Sequence, residues 1–358
     1  MLLCLALVGR CRASTRPYWL VLASWVVLAA VTSENTPMAV LGLHGTYSGG
    51  VLALALVWAV SGGRGGGAAG VAAVLSLIGL CQYADPMVWG LVPTPVYPGR
   101  IFGSMGSPVF LGAALAVLTP WVIRGPWALR LVWLAALLGT QTRGALLAVV
   151  AVVVYLAPRR VQVLAVLVGA LAAAVMMSRP GVLESDSARV VVYKAAVRAA
   201  VARPLTGWGP ENTMLALEAH GGPAWGRYYK TTTQDHAHNS VLEAVVAYGV
   251  PGALIFVWFC VSLWRDTAVG SPGRGALLAM AAVSMFNPVP LSVKVLAVYL
   301  SAADRTLEGS VMLSRGLITV SLAGAVFASF MVLTATDMGL PSDIRVLACR
   351  MVSIFIPG

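Results

Sequence analysis

Apolar residues in this chain are gathered into long runs, with polar positions confined to the stretches between them. Runs near 17–33, 39–61, 67–84, 106–123, 127–141, 144–158, 161–178, 238–264, 274–287, 289–303 and 312–335 stand out. A helix crossing a bilayer needs roughly 20 apolar residues, fewer where a bundle buries its polar ends. The pattern predicts an all-α, polytopic membrane protein with about eleven spans, roughly 10–12. It divides into N-terminal helices at 1–177, a hydrophilic insert at 178–237, C-terminal helices at 238–335 and a tail at 336–358. Met1 to Gly9 is apolar but too short to span and shows no cleavage site; it reads as an interfacial lead-in, with a clipped first helix as the alternative.

Composition strengthens this picture. Hydrophobic residues make up 59% of the 358 positions and charged ones 10%, too little polar surface to cover a soluble globule of this size. The formal net charge of +11 is spread singly or in short groups between apolar runs, so it marks topology and anion contacts and forms no stripe for nucleic acid. Cys4, Cys11, Cys81, Cys260 and Cys349 form no CxxC pair, so neither a zinc site nor a disulfide framework is indicated.

The short loops set an orientation. With alternating spans, Arg10, Arg12, Arg16, Arg64, Arg124, Arg130, Arg159, Arg160, Arg265, Arg274 and Arg305 fall on one side, which the positive-inside rule assigns to the cytoplasm. Glu34, Asp85, Arg100, Arg143 and the insert from Ser178 to Asp235 fall on the other. In that insert, Ser187 to Ala202 carries Arg189, Lys194 and Arg198 among apolar residues at helical spacing, as an amphipathic helix on the outer membrane face would. Gly207-Trp208-Gly209-Pro210 predicts a tight turn before a short helix at Glu211 to Ala219. Gly221-Gly222-Pro223 and Tyr228 to Thr233 read as a mobile loop. The tail is expected outside.

The candidate chemistry lies where the insert re-enters a span, at His236-Ala237-His238-Asn239-Ser240-Val241-Leu242-Glu243. A histidine there exchanges protons with water while a rigid helix holds it. Four further stretches precede it. They are Gly99-Arg100-Ile101-Phe102-Gly103 with Ser107-Pro108, Thr140 to Ala145 around Arg143, Ala188-Arg189 with Tyr193-Lys194-Ala195-Ala196, and Pro204-Leu205-Thr206-Gly207-Trp208-Gly209-Pro210-Glu211-Asn212. The fifth continues as Tyr248-Gly249-Val250-Pro251-Gly252. Taken in order, the five resemble the O-antigen ligase and polymerase family of bacterial membrane glycosyltransferases.

The resemblance implies transfer of a glycan from a polyprenyl (undecaprenyl) diphosphate to an acceptor hydroxyl at the outer face of the cytoplasmic membrane. The leading expectation is the O-antigen ligase type, whose acceptor is a lipid A-core sugar; the alternatives in order are a polymerase, which extends the growing glycan, and a related oligosaccharyltransferase, which uses a protein hydroxyl. No cofactor or metal ion is expected. The residue types suit that reaction on their own terms. Arginine stays charged beside lipid and offers a planar fork to phosphate oxygens, so Arg143, Arg189 and Arg100 are the candidate diphosphate clamp. His238 is the candidate general base, with inversion expected from a single displacement. His236, Asn239, Glu243 and Lys294 are secondary candidates.

Each assignment has a plainer alternative. Arg143 could snorkel at a helix end, Arg189 could pair with Asp186 or Glu184, and His238 could bond the helix start without titrating. Asn239 and Glu243 could both serve helix-start bonding. Asp235, His236, His238 and Glu243 could compose a metal site, although no HExxH-type spacing accompanies them. The glycine run Ser61 to Gly70 lacks the ending of a phosphate loop. Asn287-Pro288-Val289-Pro290 is a break that could line a cavity next to Lys294. A lipid-linked glycan flippase would also need many spans, but it predicts charges at mid-helix, whereas here they gather on the rim.

Overall fold

A computed structural model of the chain describes residues 17–36, 67–84, 99–178, 182–229, 234–287 and 289–302, with single positions 39, 97 and 304. The expected spans at 39–61 and 312–335, the lead-in, Asp85 and the tail lie outside the described residues. What is described is helical, without a strand among those residues: α1 Pro17–Val31, α2 Ala68–Ala84, α3 Pro108–Val122, α4 Trp127–Thr140, α5 Arg143–Leu156, α6 Arg159–Met177, α7 Val182–Ala202, α8 Thr213–His220, α9 Trp225–Tyr228, α10 Ser240–Asp266, α11 Pro272–Ser284 and α12 Leu291–Ala302. Two helices, Arg159–Met176 and Ser240–Asp266, are long and apolar enough to cross a membrane; α1 to α5 are shorter apolar helices.

Helix α3 is the centre of the bundle. Ser107 caps it through the Val109 amide and Pro108 opens it, where a missing N–H costs nothing. Leu111, Leu115, Val117 and Leu118 are wholly buried, and α2, α4, α5, α11 and α12 pack around them. Gly112 lets α3 approach the start of α5, since a methyl group there would press on Ala145, Thr142 and Thr140. On the outside, α6 turns Val163, Leu164, Leu167, Leu171 and Val175 outward as an exposed apolar face. Such a surface suits lipid better than water.

Both helices expected in the insert are present, with shifted bounds. Helix α7 begins at Val182, five residues earlier than the charge pattern suggested, α8 runs from Thr213 to His220, and a short α9 at Trp225–Tyr228 lies between the two stretches expected as mobile loop, meeting the second at Tyr228. A second, smaller core joins these pieces: Val192, Ala195, Ala196 and Ala199 of α7 pack with Trp208, Leu217 of α8, Ala237 and Val246 of α10.

Helix α10 is broken at Gly249, in its first half, and the insert fills the break. Gly249 adopts φ 70° and ψ 178°, and Pro251 follows inside the helix. Proline has no N–H to return to Ala247, and the Val250 amide donates instead to the Pro204 carbonyl at 2.8 Å. Three successive carbonyls are thereby freed, and each is taken by a donor from elsewhere. The Trp208 amide reaches Val246 O at 2.8 Å, the Gly209 amide reaches Ala247 O at 2.9 Å, and Trp25 Nε1 of α1 reaches Tyr248 O at 3.0 Å. The polar backbone of the break is thus satisfied internally, as a non-aqueous setting demands. Gly207 and Gly249 are required here: both have φ 70°, and a side chain on either would overlap the backbone of the other segment.

Candidate functional site

Hydrogen bonds sort the polar residues of the bundle onto two ends. At one end Arg124 reaches Gly270 O, the Gly270 amide reaches Tyr155, and Tyr18 donates to Asp266. At the other end lie Arg100, Arg143, the start of α7, the loop 234–239, the start of α10 and the end of α11. Arg100 donates from Nε to Thr140 O at 2.8 Å and from Nη2 to the Thr142 hydroxyl at 3.2 Å, which braces the turn from which Arg143 opens α5.

Arg143 makes a bidentate pair with Asp186 of α7, at 3.0 and 2.5 Å. The guanidinium holds the Asp186 carboxyl below the usual carboxylate range. Of the two acidic partners suggested for Arg189, Asp186 is thus engaged by Arg143. Arg189 forms no ion pair with a described residue; it sits partly buried, within electrostatic reach of His238, Tyr229 and Asp186.

The histidine loop is pinned by Glu243. One carboxylate oxygen accepts the Ala237 amide at 2.8 Å, and the other accepts the Thr213 hydroxyl of α8 at 2.5 Å and lies 3.8 Å from His236 Nδ1. Ala237 itself is fully buried in the second core. With the residue between them locked this way, the two histidines are held apart in different surroundings. His236 is buried at 8% exposure against Glu243. Burial disfavours its charged form, yet the carboxylates of Glu243 and Asp235 outweigh that and hold it above its ordinary value. His238 takes a left-handed backbone, φ 53°. Burial, then the charges of Arg189 and His236, push its ring down to about 4, with Glu243 opposing. It is neutral at physiological pH and has a lone pair to offer.

Asn239 caps α10: its Oδ1 accepts the Val241 and Leu242 amides at 2.9 and 3.0 Å, and its Nδ2 donates to Met285 O at 3.2 Å. This is the helix-start bonding weighed in the sequence, with a tie to the end of α11 that no local pattern announced. Two residues later, Asn287 is buried against Gly144, where a methyl group would overlap its amide. The start of α5 and the end of α11 are thereby locked together beside Arg143. Lys294 is partly buried on α12, within electrostatic reach of Glu211 and Glu243. Glu211, quoted in the sequence only as part of a motif, is buried in a left-handed conformation at φ 63°, directly after the turn that fills the α10 break.

Asp235, His236, His238 and Glu243 do not converge as ligands: among the described residues, no group of three or more His, Cys, Asp or Glu side chains is placed to hold a metal ion. This end of the bundle instead gathers partly buried cations, Arg143, Arg189 and Lys294, with the two histidines and the carboxylates Asp186, Glu211 and Glu243. Gln234, which sequence inspection passed over, stands 3.1 Å from His238 Nε2.

Comparison with known families matches residues 127–257 to the O-antigen ligase family. The matched segment runs from α4 into α10 and includes Arg143, Arg189, Glu211 and the whole histidine loop; the family resemblance is borne out, with four of the five stretches inside the match and Gly99 to Pro108 before it. It supports a glycosyl-transfer role in O-antigen or polysaccharide assembly. No curated protein matches the chain.

Proposed function

We propose that this chain is an integral protein of the bacterial cytoplasmic membrane that transfers a glycan from a polyprenyl diphosphate to an acceptor hydroxyl at the outer face. The observation that carries the proposal is a neutral histidine, His238, within electrostatic reach of an arginine, Arg189, that forms no ion pair with a carboxylate among the described residues. An unpaired, partly buried cation is costly unless an anion arrives to meet it. A diphosphate is such an anion, and it would come to rest beside the base.

His238 takes the proton of the acceptor hydroxyl as its oxygen bonds to the anomeric carbon. The bond from that carbon to the phosphate oxygen breaks, and its electron pair leaves with the diphosphate. Arg189 neutralises the charge that grows there, an effect strongest where water is excluded. Arg143 contributes a second guanidinium and ties α5 to α7, and Arg100 sets the turn from which Arg143 projects. One displacement gives inversion. Glu243, Asn239 and the Asn287–Gly144 contact hold these groups in register, and the exposed apolar face of α6 supports insertion in lipid.

The test is reconstitution in lipid with a polyprenyl-diphosphate glycan and three acceptors: a glycolipid core, a non-reducing glycan end and a serine- or threonine-containing peptide. Transfer to one of them that persists in EDTA is the expected result, and the acceptor used separates ligase, polymerase and oligosaccharyltransferase. Movement of the donor across the bilayer without transfer to any acceptor would overturn the proposal in favour of a flippase.

A further inference from the structure

The Gln234 amide nitrogen has two neighbours: the carbonyl oxygen of His236 at 2.9 Å and Nε2 of His238 at 3.1 Å. A carbonyl oxygen only accepts, so the group facing it is the amide NH2; turning the amide over would set two oxygens against each other at that distance. The NH2 has two hydrogens to give and accepts nothing. Its second neighbour must therefore also accept, which places the lone pair of His238 on Nε2 and the ring proton on Nδ1. Nothing else on the ring makes this choice, since Nδ1 is buried without a partner among the described residues.

We propose that Gln234 is a positioning residue that fixes His238 in its Nδ1–H tautomer and makes Nε2 the atom that accepts the acceptor's proton. The inference rests on His238 being the base of the transfer reaction. The groups facing the ring are Arg189 from α7, Glu243 from α10 and His236 from its own loop. Burial, then the charge of Arg189 and that of a protonated His236, disfavours the imidazolium, so the resting ring is neutral and its tautomer decides which nitrogen can work. In the reaction the Gln234 N–H yields the Nε2 lone pair to the incoming hydroxyl. The O–H bond breaks toward Nε2, and the freed oxygen bonds to the anomeric carbon as the diphosphate departs with its electron pair. The imidazolium then returns its proton to the diphosphate.

The chain has four histidines, which makes nitrogen-15 histidine labelling of the full protein in lipid a sparse spectrum. His238 is assigned by difference with His238→Gln. At neutral pH the native protein is expected to show a protonated Nδ1 and a bare Nε2 at this residue. Gln234→Leu removes the donor, so a population with the proton on Nε2 should appear. Gln234→Glu presents an acceptor, so the proton should move to Nε2 as the main form. A native His238 protonated at Nε2, or one unchanged tautomer in all three proteins, would overturn the inference. The native spectrum alone decides if a variant does not fold. Should the native protein transfer glycan with its proton on Nε2, this inference fails and the function stands; should Nδ1 carry the proton in a protein that transfers nothing, the function fails instead.

Discussion

The two ends of the bundle carry charge in opposite ways. At one end Arg124, Arg130, Arg159, Arg160 and Arg265 are exposed, and the bonds they make are to backbone carbonyls, such as Arg130 to Gly125 O at 3.1 Å. Arg274 is buried there, but it lies over the Trp264 ring, 5.0 Å from its centroid. At the other end Arg143 pairs with Asp186 and Arg203 with Glu34, both pairs partly exposed, while His236 faces Glu243 in the interior and Arg189 and Lys294 are half-buried. A charge that reaches water freely costs little and reports topology. A charge withheld from water must be paired or waiting for a partner, and that is the condition of a binding site.

The sharpest way to break this contrast is at the base. His238→Ala is expected to lower the transfer rate about 10²- to 10⁴-fold, the usual span for a general base, with donor binding retained. A variant transferring at the native rate would remove His238 from the chemistry. Next comes Arg189→Ala, for which loss of one charge stabiliser predicts a fall of about 10²- to 10³-fold in kcat. Arg189→Lys should recover part of it, because the charge returns without the fork.

The pH profile sharpens the comparison further. His238 works in its neutral form, and its ring is lowered to about 4, so activity is present above that value and lost as pH falls through it. The acid limb of kcat/KM for the donor reports free enzyme and should lie near pH 4; the limb of kcat reports the donor complex and should lie higher, since bound diphosphate offsets the repulsion from Arg189. Arg189→Ala should raise the free-enzyme limb. Coincident limbs in both proteins would contradict the link between the two residues.

Smaller effects probe the scaffold. Trp25→Phe removes the donor to Tyr248 O at the α10 break and should cost about 1 kcal/mol of stability, read as a lower unfolding midpoint in detergent. Smallest of all, Arg124→Gln and Arg130→Gln at the exposed end should change transfer by less than about twofold, because exposed charges contribute little. A large loss from either would place chemistry at the wrong end.

Much of the helical layout was legible because its signal is local: apolar runs bounded by Pro, Gly and Arg coincide with helices at α1 to α6 and α10 to α12. The histidine loop was legible for a similar reason, as the polar segment that runs straight into a long apolar one. What the sequence hid was pairing at a distance. Asp186 lies three residues from Arg189, yet its carboxylate goes to Arg143, 43 positions away. The glycines at 207 and 249 were visible singly, but their reciprocal fit depends on two segments meeting backbone to backbone. Gln234 has no signature at all; its role exists only once His236 O and His238 Nε2 are brought to one amide.

The central claim, that the diphosphate rests at the end with buried charge, is tested most directly by photocrosslinking. The native protein in lipid is irradiated with a polyprenyl diphosphate carrying a photoreactive group next to its phosphates, digested and mapped. Labelled peptides from 182–202 and 234–243 are the predicted result. Labels concentrated in 124–130 or 265–274 would contradict the account.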